Sequence, residues 1–476
     1  MNIKALCILL ILPLVFTSCK SDKVDTDLEG RAFFGGEIVN PYSNYLVLSK
    51  NRKTIDTLHL DTKNRFAYTF ESLKPGIYNF FDGRETQTFL LEPRDSLRLR
   101  LNTIDFDESL VYTGEGAKEN NFLIDLFLQN EQEDKEILGI SQLNPVDFEN
   151  KLHSLRDEKL KKLARFKKKN KPSALFIELA MANINYKYYS NKELYPLANY
   201  SKSERDMFKS LPADFYNYRK DVDFNNDFLK DYRPYNSFLR FYVNNAALQN
   251  HFKHSDDTSY NDRILDYTLD KLNVIDEKIQ NEEIKNGLLN YNIVHFISIT
   301  KNTEDYDALL ESFKQKSTNT EQIERVTRIV NSYKRLKPGK KIPNLDILDK
   351  NDNTVALQEL IKKPTVIYFW TKNNKNHLII AHRRAADLQK KYPEVDFIAL
   401  NVDSISYKEQ VRILKLHNVK ITKEFRCKSA SEVISALSVK PINNVFILNG
   451  KAEIVNAKAN MFNISFEQEL LGVINQ

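Results

Sequence analysis

Between Arg31 and about Gly114 the apolar residues come in short or alternating runs. These are Glu37-Ile-Val, Tyr45-Leu-Val-Leu, Thr57-Leu-His-Leu, Phe66-Ala-Tyr-Thr-Phe, Ile77-Tyr-Asn-Phe-Phe, Thr88-Phe-Leu-Leu and Leu97-Arg-Leu-Arg-Leu. Turn formers separate them at Asn40-Pro41, Lys63-Asn64, Pro75-Gly76 and Asp82-Gly83. Seven or eight closely spaced short strands predict a β-sandwich over residues 30–115.

From Ala117 the period becomes helical. Apolar residues recur three and four apart in Phe122 to Leu128, Phe148 to Phe166, Ala174 to Tyr189, Phe238 to Phe252, Arg263 to Gln280, Ile284 to Ile299 and Gln322 to Leu336. Glycine is nearly absent there and no fixed repeat is visible, so residues 116–336 read as an all-helical domain rather than a repeat array.

Lys337-Pro-Gly-Lys-Lys-Ile-Pro-Asn344 marks a second boundary. The order after it is hairpin, strand, helix, strand, helix, helix, strand, strand, helix. Ile342 to Leu348 and Thr354 to Leu357 flank the polar turn Asp349 to Asn353. That turn mimics a calcium loop, but Thr354 and Leu360 stand where an EF-hand needs glycine and a bidentate glutamate, so a plain hairpin is expected. Strands follow at Thr365–Trp370 and Val395–Asp403, with helices at Leu378–Tyr392, Tyr407–His417 and Ser431–Leu437. Val445 to Leu448 and Ala452 to Val455 form a second hairpin, where Asn449-Gly450 suits a type I′ turn, and Phe466–Ile474 closes as a helix.

The N-terminus has a different pattern. Lys4 precedes the unbroken apolar run Ala5 to Phe16, whose twelve residues fall short of the roughly 20 that span a bilayer. Phe16-Thr17-Ser18-Cys19 resembles a bacterial lipobox. The resemblance implies a lipoprotein signal peptide at 1–18, acyl chains on Cys19 that anchor the chain to a membrane, and a polar tether over 19–29.

The 476-residue length fits two or three domains. A net charge of +6 over that length gives no reason to expect a nucleic-acid partner. The cysteines are Cys7, Cys19 and Cys427, so loss of the signal and lipidation would leave a single thiol. Two-cysteine exchange within one chain is then excluded.

Residues 337–476 resemble the thioredoxin-like proteins of the TlpA type. The landmarks are Ile342-Pro-Asn, the strand end Phe369-Trp370 and the hairpin Phe446-Ile-Leu-Asn-Gly450. The N-terminal stretch is similar to the β-domain that often precedes such domains in Gram-negative lipoproteins, through Gly76-Ile-Tyr, Phe89-Leu-Leu-Glu-Pro-Arg-Asp-Ser-Leu97 and Thr113-Gly-Glu-Gly-Ala117. The expected fold class is therefore multidomain α+β: β-sandwich, helical middle, thioredoxin-like α/β domain. The resemblance implies a Cys-x-x-Cys motif at a helix start, where the dipole favours a thiolate. Here those positions are Asn374 and His377. A proton-relaying glutamate is expected at Ile380 and a cis-proline at Asn443, while Pro441 stands two residues early. A trans peptide and a remodelled loop are expected at Asn443. Asn374 suits an N-cap.

Other features carry two readings. The basic run Lys159 to Lys171 could lie on anionic headgroups, but Leu160, Leu163 and Phe166 at helical spacing favour the solvated face of a packed helix. Tyr186, Tyr188, Tyr189, Tyr195, Tyr200, Tyr232, Tyr235, Phe238, Phe241 and Tyr242 could stack on a ligand, yet core filling is favoured. His377 and His382 lie five apart on different helix faces, a poor metal site, and His377 is expected at the surface. Cys427 is a reactive peroxidatic or intermolecular thiol, or a small buried hydrophobe.

The leading expectation is a lipid-anchored envelope protein, on the periplasmic side of the outer membrane. Its thioredoxin-like domain has lost dithiol chemistry and binds or scaffolds a protein or peptide, with no cofactor and no metal. The enzyme alternative is a TlpA- or AhpC-like redox protein using Cys427 or a partner's thiols, or non-redox chemistry at His377. A third reading, a substrate-binding component, rests on the aromatic helical middle alone.

Overall fold

The computed structural model describes residues 30–300, 302–419, 423–439 and 442–475. It is a mixed α+β structure with three sheets, and it divides into two compact units. One holds the described residues up to Asn199 together with Phe228–Phe238. The other holds Tyr200–Asp227 together with the described residues from Leu239 onward.

The first unit begins with strands β1 (Ala32–Val39), β2 (Tyr45–Lys50), β3 (Lys53–His59), β4 (Arg65–Phe70), β5 (Gly76–Phe81), β6 (Thr86–Leu91) and β7 (Ser96–Asn102). A one-turn helix, α1 (Phe106–Ser109), leads to β8 (Val111–Thr113). They form two four-stranded sheets, ordered β4-β1-β7-β8 and β3-β2-β5-β6. β1 runs parallel to β7 with Phe34 opposite Leu97, and antiparallel to β4 with Phe34 opposite Tyr68. Inward residues of both sheets join in one cluster, in which Phe34 of β1 stacks on Phe89 of β6 at 4.4 Å. Gly36 is required by the close approach of β7, since a Cβ there would stand 2.2 Å from Leu99 O.

Three long helices follow: α2 (Ala117–Ile140), α3 (Pro145–Asn170) and α4 (Ala174–Ala198). Asn144 caps α3 through Val146 and Asp147 N–H with Pro145 in the first turn, and Ser173 caps α4 through Phe176 N–H. The structure corrects one expectation here. Lys159 is buried, and its Nζ lies 2.6 Å from both Glu133 Oε2 and Asn130 Oδ1 of α2. The basic run therefore starts with a core ion pair before it turns outward.

The second unit adds α5 (Glu204–Ser210), most of α6 (Arg233–His254), α7 (Leu265–Lys278), α8 (Glu282–Ile299), α9 (Asp305–Lys316) and α10 (Thr320–Arg335). After them come β9 (Asp346–Leu348), β10 (Thr354–Ala356), β11 (Thr365–Trp370), α11 (Lys375–Lys391), β12 (Asp396–Asn401) and α12 (Tyr407–Leu416). The chain ends with β13 (Lys423–Cys427), α13 (Ala430–Leu437), β14 (Val445–Leu448), β15 (Ile454–Ala459) and α14 (Phe466–Ile474).

The seven-stranded sheet has the order β10-β9-β13-β12-β11-β14-β15. β11, β12 and β13 are parallel, with Ile367 opposite Ile398 and Leu400 opposite Phe425, and β14 pairs antiparallel to β11. Every residue of β11 and β12 is buried, as befits parallel strands covered on both faces. β13 is one strand more than the expected order contained, and it ends at Cys427.

Two further expectations are corrected. α11 starts at Lys375, not Leu378, because the Asn374 cap fixes its first turn through polar residues. Asn449-Gly450 does not make a type I′ turn. Ala452 N–H bonds to Asn449 O, the left-handed residue is Ala452 at φ 60°, and Asn449 Oδ1 accepts from Lys451 and Glu453 N–H. The same device closes two other hairpins. Asp349 accepts from Asn351 and Asn353 with Asp352 at φ 64°, and Asp61 accepts from Lys63 and Arg65 with Asn64 at φ 57°. An Asx side chain holds each turn, so no primed geometry is needed.

β15 is the last strand of its sheet, and the segment before β9 pairs with it. Gly339 N–H bonds to Ile454 O, Ile454 N–H to Lys340 O and Ile342 N–H to Ala452 O. From β15, Lys458 Nζ reaches the carbonyls that end α8, bonding to Ile297 O and, at 3.0 Å, to Thr300 O, and to the Tyr306 hydroxyl.

Candidate functional site

The end of β11 and the start of α11 are held from beneath by one acid. Asp403 accepts Thr371 Oγ1–H and Lys372 N–H, both at 2.7 Å, and the amide of Asn401 at 3.1 Å. Asn401 itself is fully buried and its amide also reaches Trp370 O. Thr371 O then accepts Asn374 N–H, which delivers Asn374 to the helix start. Its Oδ1 accepts His377 N–H at 3.1 Å. Asparagine thus satisfies a helical donor at the position where the TlpA resemblance places the attacking cysteine.

His377 is buried, 7% exposed, and its Nδ1 has no hydrogen-bond partner. Burial, and after it the neighbouring His382, hold its pKa below the usual histidine value and favour the neutral ring. His382 is 4% exposed. His377, expected at the surface, is therefore interior, as is His382, because α11 begins a turn early and lays its first turns on the sheet. Ile380, by contrast, is 48% exposed. Asn443 is exposed beyond α13, and Pro441 lies outside the described residues.

A polar network lies under this corner. Leu378 O can only accept, so His382 Nδ1, 2.7 Å away, carries a hydrogen. His382 Nε2 is 3.1 Å from Glu424 Oε1. Glu424 Oε2 accepts Trp370 Nε1–H at 3.2 Å and the Gln410 amide at 3.1 Å. The His382 ring meets Tyr368 and Trp370 edge-on at 5.2 and 5.6 Å. One carboxyl group thus ties together side chains from three other elements in the interior of the sheet. Glu424 was missed in the sequence, where it sits unmarked in Lys423-Glu-Phe-Arg-Cys427.

Cys427 is buried, and burial pushes its thiol up to about 12. Cys7 and Cys19 lie outside the described residues, as do the signal and the tether. The corner thus presents a capped helix start, a neutral histidine and a Thr371 hydroxyl committed to Asp403. It offers no activated nucleophile among the described residues.

Most of the aromatic set of the helical region packs internally, but Tyr200, expected to fill the core, is 76% exposed. Tyr186 meets Tyr235 at 4.9 Å and Phe238 at 5.2 Å, and Asn183 donates to the Tyr232 hydroxyl at 2.8 Å. The cleft bordered by Glu133, Arg156, Lys159, Tyr188 and Asn191 holds about 220 Å³, open solvent included. One group with metal-ligand spacing occurs among the described residues, His251, His254 and Asp270, which the sequence reading passed over.

No protein-family model and no curated protein matches the chain. Solved structures similar to it include several described as thiol-disulfide oxidoreductases. A proposed thiol-disulfide oxidoreductase from Bacteroides vulgatus is 20% identical over 29% of this chain and 98% of that chain, with a TM-score of 0.27. A proposed thiol:disulfide interchange protein DsbE from Chlorobium tepidum is 16% identical over 29% and 99%, with a TM-score of 0.25. The thioredoxin domain of a thiol-disulfide oxidoreductase from Bacteroides vulgatus is 12% identical over 29% and 96%, with a TM-score of 0.23. Likeness at this level carries no activity across to the chain. Among the described residues no helix is long and apolar enough to cross a membrane.

Proposed function

We propose that this chain is a lipid-anchored protein of the bacterial envelope whose C-terminal, thioredoxin-like domain has no dithiol chemistry and binds or scaffolds a protein or peptide. The observation that carries the reading is the Asn374 side chain, which caps α11 through His377 N–H where a nucleophilic thiol would stand. Two others support it. His377 at the resolving position is buried and neutral in tendency, and Cys427 is buried with its thiolate suppressed. The lipobox at Cys19 supports anchoring, with the periplasmic face of the outer membrane as the proposed place.

The test is insulin reduction by the full-length protein in detergent, beside a Cys427→Ser variant. Turnover indistinguishable from that variant, and from buffer, is expected. Turnover above the variant would overturn the reading in favour of a redox protein working through Cys427.

A further inference from the structure

His251 and His254 stand three residues apart in the last turn of α6, so their rings leave the same side of the helix. Asp270, from the second turn of α7, faces both. Its Oδ2 is 2.9 Å from His254 Nε2 and 3.3 Å from His251 Nδ1, and the three ligand atoms all lie within 4.8 Å of one another. The two rings are nearly perpendicular, at 87°.

The other nitrogen of His251 decides what this group can do. Nε2 lies 2.8 Å from Asp257 Oδ2, and a carboxylate accepts, so Nε2 carries a hydrogen and Nδ1 is the ring atom left for a metal. Nδ1 faces Asp270 Oδ2 across 3.3 Å. The His251 side chain is only 3% exposed, and Nδ1 is buried without a hydrogen-bond partner. A cation bound by both atoms would fill that contact.

We propose that His251 Nδ1, His254 Nε2 and Asp270 Oδ2 bind a divalent transition-metal ion of the zinc class, with a fourth position open. In a tetrahedral site with bonds of about 2.0 Å, ligand atoms stand about 3.3 Å apart, close to the separations seen from Asp270. Two imidazoles disfavour magnesium and calcium, which take oxygen ligands. Asp257 completes the pattern by orienting His251 from the far side, as outer carboxylates do for metal-bound histidines. His254, 52% exposed, marks the side from which the ion enters.

The experiment is titration of chelator-treated, full-length protein with zinc sulfate alone, followed by calorimetry. Binding of one ion per chain is expected, weakened at least tenfold in His254→Ala and in Asp270→Asn. Asp257→Asn weakens it by about 10–100-fold while leaving the stoichiometry unchanged. His254 is half exposed and Asp270→Asn is isosteric, so both variants keep the fold, which circular dichroism checks. Visible absorption of the cobalt-substituted protein reports tetrahedral ligands directly. Absence of stoichiometric binding, or binding unchanged in both His254→Ala and Asp270→Asn, overturns the proposal.

Discussion

Glu424 Oε1 lies 3.1 Å from His382 Nε2 in the interior of the C-terminal sheet, and the same carboxyl holds the indole N–H of Trp370. Four elements, β11, α11, α12 and β13, meet at that one acid. Removing one partner of a buried pair leaves the other uncompensated, at a cost of about 3–5 kcal/mol. Glu424→Gln is therefore expected to lower the unfolding free energy read from a urea titration by that amount. Trp370 is the only tryptophan in the chain, so its emission follows this sheet alone. A shift well under 1 kcal/mol would show that the network contributes little.

Asn374→Ala removes the cap on α11 and is expected to cost about 1 kcal/mol in the same measurement. Asn374→Asp keeps an acceptor at a helix N-terminus and should retain the stability. Equal midpoints for all three proteins would remove the capping role.

Lys458 gives a pH signature. Burial lowers its pKa from 10.5 to about 7 in the fold. The unfolded chain therefore binds more protons between about pH 7 and pH 10, and stability rises with pH across that window. The slope is at most about 1.4 kcal/mol per pH unit, and it vanishes below pH 7, where both states are protonated. Lys458→Met should flatten this part of the profile. A slope unchanged by the substitution would place the titration elsewhere.

With its thiol pushed up to about 12, Cys427 presents a thiolate fraction on the order of 10⁻⁴ at pH 8. Alkylation of the Cys427 peptide, read by mass spectrometry, should be negligible in the folded protein and rapid in urea. Rapid labelling without urea would reopen a redox role for this residue.

The centre of the sheet was legible because β11, β12 and β14 are short, largely apolar runs buried along their whole length. The start of α11 was legible only through the Asn374 cap, since Lys375, Asn376 and His377 carry no apolar signal and periodicity alone began the helix at Leu378. Lys159 reads like its basic neighbours, because Glu133, which buries it, comes from another helix. Glu424 and the His251 group share that difficulty. His251-x-x-His254 is visible as a helical pair, but Asp270 joins it only once α6 and α7 are folded. The three Asx hairpins were legible as turns and misjudged in type at Asn449, where the side chain outranks the dipeptide rule.

The pairing of residues 339–342 with β15 bears on how the sheet avoids its own kind. An outermost strand with free N–H and C=O groups is a template for another molecule's strand. Gly339, Lys340 and Ile342 occupy that row around Ile454, so the segment before β9 acts as a guard against self-association. A chain begun at Asn344 would lose the guard, bare the edge and become prone to aggregate, although every strand of the sheet would still be present.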